Sequence, residues 1–204
     1  MAISREMKAK HGMRGGKKVA AEVEAAFAAD AKWYASQPGG HGYGTLFATN
    51  SKGKPIATWK CRHYHKEFVL PNGLVMQASS MTGTLKRRHK APDFGLYLDS
   101  GWLALAEWRT EFIRWPDFGT PTHAEAAVEA IIEAYQRITE GWLVETGCIG
   151  GHGRTGTVLA CMVVMAGETD PEAAMRYVWK NYCHEAIESK AQMDFVRWFA
   201  GECV

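Results

Sequence analysis

The segment "GCIGGHGRTGT", Gly147–Thr157, is the most informative for the fold because it joins two elements of different type. The residues that lead into it, "GWLVETG" at 141–147, predict a β-strand. From Thr155 to about Ala166 the chain is apolar on nearly every side, which predicts a buried helix. With further long helices following in the C-terminal half, this pattern is typical of an α/β layer fold.

The loop between strand and helix has the composition of an anion site. Its glycines let the backbone turn tightly, and inward-facing N–H groups above a helix N-terminus attract negative charge. Arg154 adds a planar, two-pronged donor that suits phosphate oxygens. The same field favours the thiolate of Cys148, since a thiolate is also an anion. The loop therefore predicts an oxyanion cradle beside a sulfur nucleophile.

A proton donor for a leaving oxygen is expected on a separate loop. The segment "FIRWPDFGTP", at 112–121, places Asp117 directly after Pro116 and two residues before Gly119, which offers a hinge. Trp115 is a large anchor for such a loop. The alternative for Asp117 is an ordinary turn residue, because Pro-Asp is common in turns.

Together these motifs resemble the cysteine-dependent protein tyrosine phosphatase superfamily. Cys148-x5-Arg154-Thr155-Gly156 follows Trp115-Pro116-Asp117 at that family's separation, 31 residues from Asp117 to Cys148 (148 − 117). The glycine-rich form of the loop is similar to compact dual-specificity and bacterial or viral members, and the likeness runs from about Phe94 to the C-terminus. It implies an α/β fold with a twisted, mostly parallel central sheet and helices on both faces. It implies no metal and no organic cofactor.

The resemblance also implies roles for further residues. Thr155 would donate a hydrogen bond to the sulfur, and the backbone of Ile149, Gly150, Gly151, His152 and Gly153 would bind phosphate oxygens. The segment "AIESKAQMDFVRWF", at 186–199, resembles the family's glutamine loop, in which Gln192 would position the attacking water. The alternative for Gln192 is an exposed helix residue. The His152 side chain is expected at the loop rim, pointing outward.

One position departs from the family pattern. Many members carry a histidine immediately before the nucleophile, and this chain has Gly147 there. In the family this histidine helps to lower the pKa of the nucleophilic thiol, so its absence bears on how strongly Cys148 is activated. The identity of Cys148 as the nucleophile is unaffected.

The chain is expected to consist of a short tail and one domain. Residues 1–18 are basic and interrupted by glycines, so they predict a partly disordered tail or a nucleic-acid arm. Residues 19–204 are expected to form a single phosphatase-like catalytic domain. Within it the sequence predicts an amphipathic helix at 19–37, a hairpin in "KEFVLPNGLVMQAS" at 66–79, a strand at 94–99 and helices at 122–140, 171–182 and 189–203.

Composition excludes several classes of protein. The 204 residues have a formal net charge of +2, too small by itself to imply a nucleic-acid partner, and their five scattered cysteines do not form a disulfide framework. A cytoplasmic location is expected, with no membrane partner. Cys61, His63 and His65 occupy alternating positions, so on a strand they would share one face and could bind zinc. No fourth ligand is evident, so no metal is expected. The cationic cluster at 86–90 is either a solvated loop or a surface beside the pocket that attracts anionic substrate.

The expected function is hydrolysis of phosphate monoesters through a phosphocysteine intermediate. The expected substrate is a phosphorylated protein or peptide, foremost one that carries phosphotyrosine. Dual specificity, which adds phosphoserine and phosphothreonine, is the open alternative. A phosphoinositide or RNA 5′-phosphate phosphatase on the same scaffold is the alternative, although this loop lacks the lysines of lipid-directed relatives. A phosphoprotein-binding pseudophosphatase conflicts with the intact Cys148, Arg154 and Asp117. Rhodanese-like sulfur transfer leaves the Trp115-Pro116-Asp117 segment unexplained.

Overall fold

A five-stranded sheet carries the strand from which the glycine-rich loop emerges. The structure, a computed structural model, describes residues 48–49, 55–56, 65–81, 90–104 and 106–203. The strands of the sheet are β3 (Lys66–Val69), β4 (Val75–Ser80), β5 (Phe94–Tyr97), β6 (Thr110–Phe112) and β7 (Val144–Cys148). They lie in the order β3-β4-β7-β5-β6, and every neighbouring pair is parallel except β3 with β4. Two short strands, β1 (Ala48–Thr49) and β2 (Pro55–Ile56), form a separate antiparallel pair.

Four α-helices follow the predicted pattern within one or two residues at most ends. They are α1 (Ala124–Thr139), α2 (Gly153–Met165), α3 (Pro171–Asn181) and α4 (Lys190–Cys203). Helix α3 begins as its sequence indicates, with Asp170 accepting a hydrogen bond from the Glu172 N–H and Pro171 at the first helical position. A 3-10 helix, Ser100–Ala104, and strand β6 were not predicted from the sequence.

The two faces of the sheet carry different side chains. Phe94 and Tyr97 are three residues apart on β5, so their side chains point to opposite faces. The Arg137 guanidinium of α1 lies 4.0 Å above the Phe94 ring. The Tyr97 ring stacks on Trp102 of the 3-10 helix, with centroids 4.2 Å apart. Helical structure therefore covers both faces of this mixed, mostly parallel sheet, as expected.

Helix α2 is the centre of the helical layer. All but the last of its residues are buried, which explains its apolar sequence. It contacts β7 and each of the other three α-helices. Because so many elements pack on it, the loop at its N-terminus is held at a fixed position relative to the sheet.

The predicted hairpin is confirmed. Strands β3 and β4 pair with Phe68 opposite Met76, and the turn between them contains Gly73 at φ 85°. The Asn72 side chain accepts a hydrogen bond from the Leu74 N–H, which is ordinary turn chemistry for asparagine.

Several predictions fall outside the residues that the structure describes. They concern the tail at 1–18, the helix at 19–37, the metal candidates Cys61 and His63, and the cationic cluster up to His89.

Candidate active site

Cys148 is the last residue of β7 and lies at the start of the glycine-rich loop. Its side chain is buried, and its Sγ accepts two hydrogen bonds, from the Gly151 N–H at 3.2 Å and the Thr155 hydroxyl at 3.1 Å. Gly151 has φ 73°, a conformation that glycine adopts without strain, and this turns its N–H toward the sulfur. Two donors aimed at one sulfur form the arrangement that a thiolate accepts.

Arg154 is buried and held rigidly at the bottom of the site. Its Nη1 donates to the Leu98 carbonyl at 2.8 Å, the Trp115 carbonyl at 2.9 Å and the Asp99 carboxylate at 3.2 Å. Nη2 lies 3.3 Å from Asp117 Oδ1. The guanidinium is therefore oriented from one side, with its Nη2 edge toward the residue predicted as proton donor.

The segment around Asp117 is a tight turn fixed to the protein by its tryptophan. Trp115 is buried, donates from Nε1 to the Gly119 carbonyl at 2.7 Å, and packs edge-on against Phe195 of α4. The Gly119 N–H donates to the Pro116 carbonyl at 3.0 Å. Trp115 thus acts as the expected anchor, and the Asp117 side chain keeps 34% of its surface exposed above Arg154.

These elements line a pocket. Its lining combines loop residues with residues from two other segments: Asp117, Phe118, Cys148, Ile149, Gly150, His152, Gly153 and Glu188. Phe118 has φ 57° and is 57% exposed, so an aromatic ring stands at the mouth of the pocket. The predicted nucleophile, cradle and proton donor are therefore brought together.

The glycine-rich loop is pinned from both sides. The Met81 N–H donates to the Ile149 carbonyl at 3.1 Å, and the Tyr182 hydroxyl donates to the Gly151 carbonyl at 2.6 Å. His152 is only 2% exposed, so its expected outward orientation at the rim is wrong. Burial lowers the pKa of His152, so its imidazole is neutral at physiological pH.

Gly147 has a structural reason for departing from the family pattern. A Cβ at this position would lie 2.7 Å from the Trp102 ring and 2.8 Å from the Ser79 carbonyl oxygen. The Trp102 indole donates from Nε1 to the Cys148 carbonyl at 3.3 Å. In this chain a tryptophan of the 3-10 helix occupies the space behind the nucleophile, and no side chain fits at 147.

Gln192 lies in the first turn of α4 and is fully buried, which is not the position of an exposed helix residue. Its Oε1 accepts hydrogen bonds from the Glu188 N–H at 2.8 Å and the Ser189 N–H at 3.3 Å. Its Nε2 is buried without a hydrogen-bond partner. A buried amide donor of this kind is available to a ligand or a water in the site.

Glu188 is a site residue that the sequence reasoning missed. Desolvation, and next the charge of Asp117, raise its pKa to about 7, although the Gly153 N–H and Arg154 act in the opposite direction. Its Oε2 lies 2.2 Å from the point where a Cβ on Gly153 would be. The only signal in the sequence was its place four residues before Gln192.

Two further carboxylates, Asp99 near the site and Asp93 at the opposite end of β5, have structural roles. Burial raises the pKa of Asp99, against the opposing effect of Arg154, and its Oδ1 accepts from the Gly101 N–H at 3.0 Å. Asp93 accepts from the Leu143 N–H at 2.8 Å. Neither is among the residues that line the pocket.

Within the described part of the chain, one group of side chains has donor atoms close enough together to bind a metal ion. The donor atoms of His152, Cys183 and Glu185 lie within 4.8 Å of one another. Of the three residues considered as zinc ligands in the sequence, only His65 is described, and its Nδ1 lies 2.7 Å from Glu145 Oε2.

Solved structures with the same fold are phosphatases. A kinase associated phosphatase carrying serine in place of its catalytic cysteine aligns with 71% of this chain and 97% of its own, with a TM-score of 0.58 and 15% identity. The active form of Tk-PTP aligns with 72% of this chain and 99% of its own, with a TM-score of 0.54 and 20% identity. At these identities the likeness shows the fold alone.

Relatives in sequence cover a smaller part of the chain. Two uncharacterized proteins of Methanocaldococcus jannaschii are 38% and 35% identical to it over 88 residues, or 43% of this chain. The match spans 56% and 52% of those proteins, so the chain covers about half the length of the curated relatives. No helix within the described residues has the length and apolar character needed to cross a bilayer.

The profile of one family matches residues 93–202, more than half of the chain. That region contains every residue that lines the pocket, together with Arg154 and Gln192. The chain belongs to the PTP-SAK family, the DSP-PTPase phosphatase domain of Swiss Army Knife proteins.

Proposed function

We propose that this phosphatase-family chain hydrolyses phosphate monoesters in proteins, with phosphotyrosine as its main substrate and phosphoserine and phosphothreonine as secondary ones. The observation that carries the proposal is the geometry at Cys148. Its sulfur receives two hydrogen bonds, while Arg154, fixed by three acceptors, lies at the same loop.

In the first step Cys148 Sγ attacks phosphorus and the ester oxygen departs. Arg154 and the backbone N–H groups of residues 149–155 hold the equatorial oxygens, so stabilisation is mainly electrostatic. Protonated Asp117 gives its proton to the leaving oxygen. The Asp117 carboxyl lies 3.3 Å from Arg154 Nη2, and a phosphate dianion that binds the guanidinium would free the carboxyl for the leaving group.

In the second step water hydrolyses the phosphocysteine. Gln192 supplies a buried Nε2 donor to position this water, and Thr155 donates to the departing sulfur. Asp117, ionised after the first step, takes the proton of this water, inorganic phosphate leaves, and the Cys148 thiolate is restored.

The preference for phosphotyrosine is supported by Phe118. An exposed ring at the pocket mouth offers an aromatic face against which a phenol can pack, and such pairs contribute about 0.5–1.5 kcal/mol. A phosphothreonine side chain is shorter and has no ring to gain this contact.

Paired kinetics test the proposal. We expect a higher kcat/KM for a phosphotyrosine peptide than for a matched phosphothreonine peptide, and we expect Phe118→Ala to reduce the first more than the second. Cys148→Ser should abolish turnover of both. Faster turnover of a soluble phosphoinositide or of an RNA 5′-phosphate than of either peptide would contradict the assigned substrate class. Retained turnover in Cys148→Ser would contradict the mechanism.

A further inference from the structure

His152, Cys183 and Glu185 bring three different kinds of metal ligand together beside the phosphate loop. Their donor atoms lie within 4.8 Å of one another. His152 and Cys183 are buried, whereas the Glu185 side chain is 38% exposed. An imidazole, a thiol and a carboxylate are the side chains that bind zinc in proteins, and the exposed carboxylate gives an ion a way in from solvent.

The spacing of the donors fits a shared ion better than it fits a direct contact. His152 Nε2 lies 3.9 Å from Glu185 Oε2, which is longer than a hydrogen bond. Two ligands of one tetrahedral zinc ion, each roughly 2.0–2.3 Å from the metal, lie roughly 3.3–3.6 Å apart. A small movement of the exposed Glu185 side chain therefore brings its oxygen to the distance that a common ion requires.

The backbone orients the donors on both sides. A Cβ on Gly150 would lie 3.5 Å from His152 Nδ1, so this nitrogen lies near the loop and Nε2 is the one that faces Glu185. On the other side, the Ala186 N–H donates to the Cys183 carbonyl at 3.1 Å, and the Glu185 N–H donates to Cys183 Sγ at 3.4 Å. Hydrogen bonds to a ligating group fix its orientation and are a regular feature of metal sites.

We propose that His152, Cys183 and Glu185 bind one Zn²⁺ ion, which ties the phosphate loop to the segment that follows α3. A thiolate and an imidazole select zinc over Mg²⁺ and Ca²⁺, which take oxygen ligands. On binding, the Cys183 thiol gives its proton to solvent and its sulfur bonds to the ion. A water completes the tetrahedron, as in other zinc sites with three protein ligands.

The ion would strengthen a connection that the fold already makes. The Tyr182 hydroxyl donates to the Gly151 carbonyl at 2.6 Å, so the same segment holds the loop at the residue next to His152. Zinc would link positions 31 residues apart (183 − 152). Of the three ligands only His152 lines the pocket, and none of their side chains takes part in the proposed reaction. Zinc should therefore stabilise the fold and leave the chemistry unchanged.

Binding of Co²⁺ and Zn²⁺ to the full chain tests the site. The starting protein is Cys148→Ser, because the thiol of the nucleophile could itself bind the ion, and metal is first removed with EDTA. We expect one Co²⁺ per chain, with a thiolate-to-cobalt charge-transfer band that Zn²⁺ abolishes. Thermal unfolding should show a Tm higher by roughly 5–10 °C when free zinc is about 100 times its Kd.

Variants of the ligands assign the band to this site. Adding Cys183→Ala should remove the band and weaken Zn²⁺ binding by more than roughly 100-fold, because even a group that only orients a ligand contributes 10–100-fold. Cys61→Ala is the matched control, since it removes the thiol that precedes His63 and His65 in the sequence, and the band should persist. Glu185→Ala changes an exposed side chain, so it should fold and still bind Zn²⁺ at least roughly 10-fold more weakly.

Three results would overturn the inference, and none of them depends on phosphatase activity. The first is a Cys148→Ser protein that shows no charge-transfer band with Co²⁺. The second is a band that persists in Cys183→Ala or is lost in Cys61→Ala. The third, which decides the matter if Cys183→Ala does not fold, is an unchanged affinity for Zn²⁺ in Glu185→Ala.

Discussion

Gly147, the residue before the nucleophile, is a glycine because its neighbours leave no space for a side chain. Gly147 leaves room for Trp102, whose indole holds the Cys148 carbonyl and whose ring stacks on Tyr97. A histidine at 147 would require the space that Trp102 fills. The chain therefore fixes the backbone of its nucleophile through a buried aromatic pair, at the position where many relatives carry an imidazole.

Gly147→Ala should destabilise the protein by about 1–3 kcal/mol, because overpacking a fixed site forces the backbone to shift. The Ser79 carbonyl, 2.8 Å from the added Cβ, belongs to a central strand and cannot move aside. Urea unfolding measures the effect. Gly201→Ala in α4 is the control, since no atom lies within 4 Å of its added Cβ, and it should be neutral or slightly stabilising. Equal stabilities for the two variants would contradict the close packing at 147.

Arg154→Lys should lower kcat/KM by roughly 10²–10³-fold, the usual cost of removing one preorganised donor from such a site. A lysine is a point charge and cannot bond three fixed acceptors on one side while offering a second nitrogen to phosphate. Arg176→Lys is the matched control, because Arg176 forms an exposed ion pair with Asp170 on α3. Steady-state rates on a phosphotyrosine peptide measure both, and similar rates for the two variants would remove Arg154 from its role.

Among the elements, the Trp115–Gly119 turn carries one carboxyl and is held by contacts of the Trp115 indole. Asp117→Ala should slow a phosphotyrosine peptide by roughly 10²–10⁴-fold, and an activated nitrophenyl phosphate much less. The reason is that a phenolate with a pKa of about 10 is a poor leaving group without a proton, whereas a nitrophenolate leaves unaided. Circular dichroism would show that the fold is kept. Equal losses on both substrates would mean that Asp117 only shapes the turn.

The elements that the sequence predicted are those with a strong local pattern. An unbroken apolar run predicts helix α2, and a Pro-Asn-Gly turn predicts the β3–β4 hairpin. Strand β6, with three half-buried residues, and the 3-10 helix have no such pattern, because their place is determined by contacts with β5 and Tyr97. The motif residues Cys148, Arg154 and Asp117 were assigned from spacing in the same way.

Glu188 and His152 could not be assigned by spacing. The environment of Glu188 depends on Asp117, 71 positions away (188 − 117), and on the packing of Ile187 against α2. The burial of His152 depends on the segment that carries Cys183 and Glu185. Both are products of tertiary structure, and a single sequence carries no periodic signal for them.

In the complete fold, the order of the strands brings the residues of the site together. Parallel strands β5 and β7 are neighbours, so Leu98 and Asp99, just after β5, lie beside Cys148 at the end of β7. The chain after β6 brings Trp115 to the same edge. Arg154, which follows β7, joins the segment after β5 through bonds to Leu98 and Asp99 and the segment after β6 through its bond to Trp115. Ligand sites at the carboxyl ends of parallel strands are a general property of α/β sheets.

This assembly supplies every group that the proposed reaction needs. The nucleophile, the cradle, the proton donor and the water-positioning amide are all protein groups. Turnover of a phosphotyrosine peptide should therefore be unchanged after exhaustive treatment with EDTA, and it should be inhibited by vanadate, which is an analogue of the phosphoryl transition state that the cradle binds.

The control for this prediction uses the one described cluster with metal-ligand geometry. If EDTA abolishes activity and zinc restores it, the same treatment of Cys183→Ala shows whether the metal acts through His152, Cys183 and Glu185. A response to EDTA that disappears in Cys183→Ala would assign the loss to that cluster, which holds His152 in the middle of the phosphate loop. Such a result would replace a purely protein-based cradle with one whose shape depends on a metal ion.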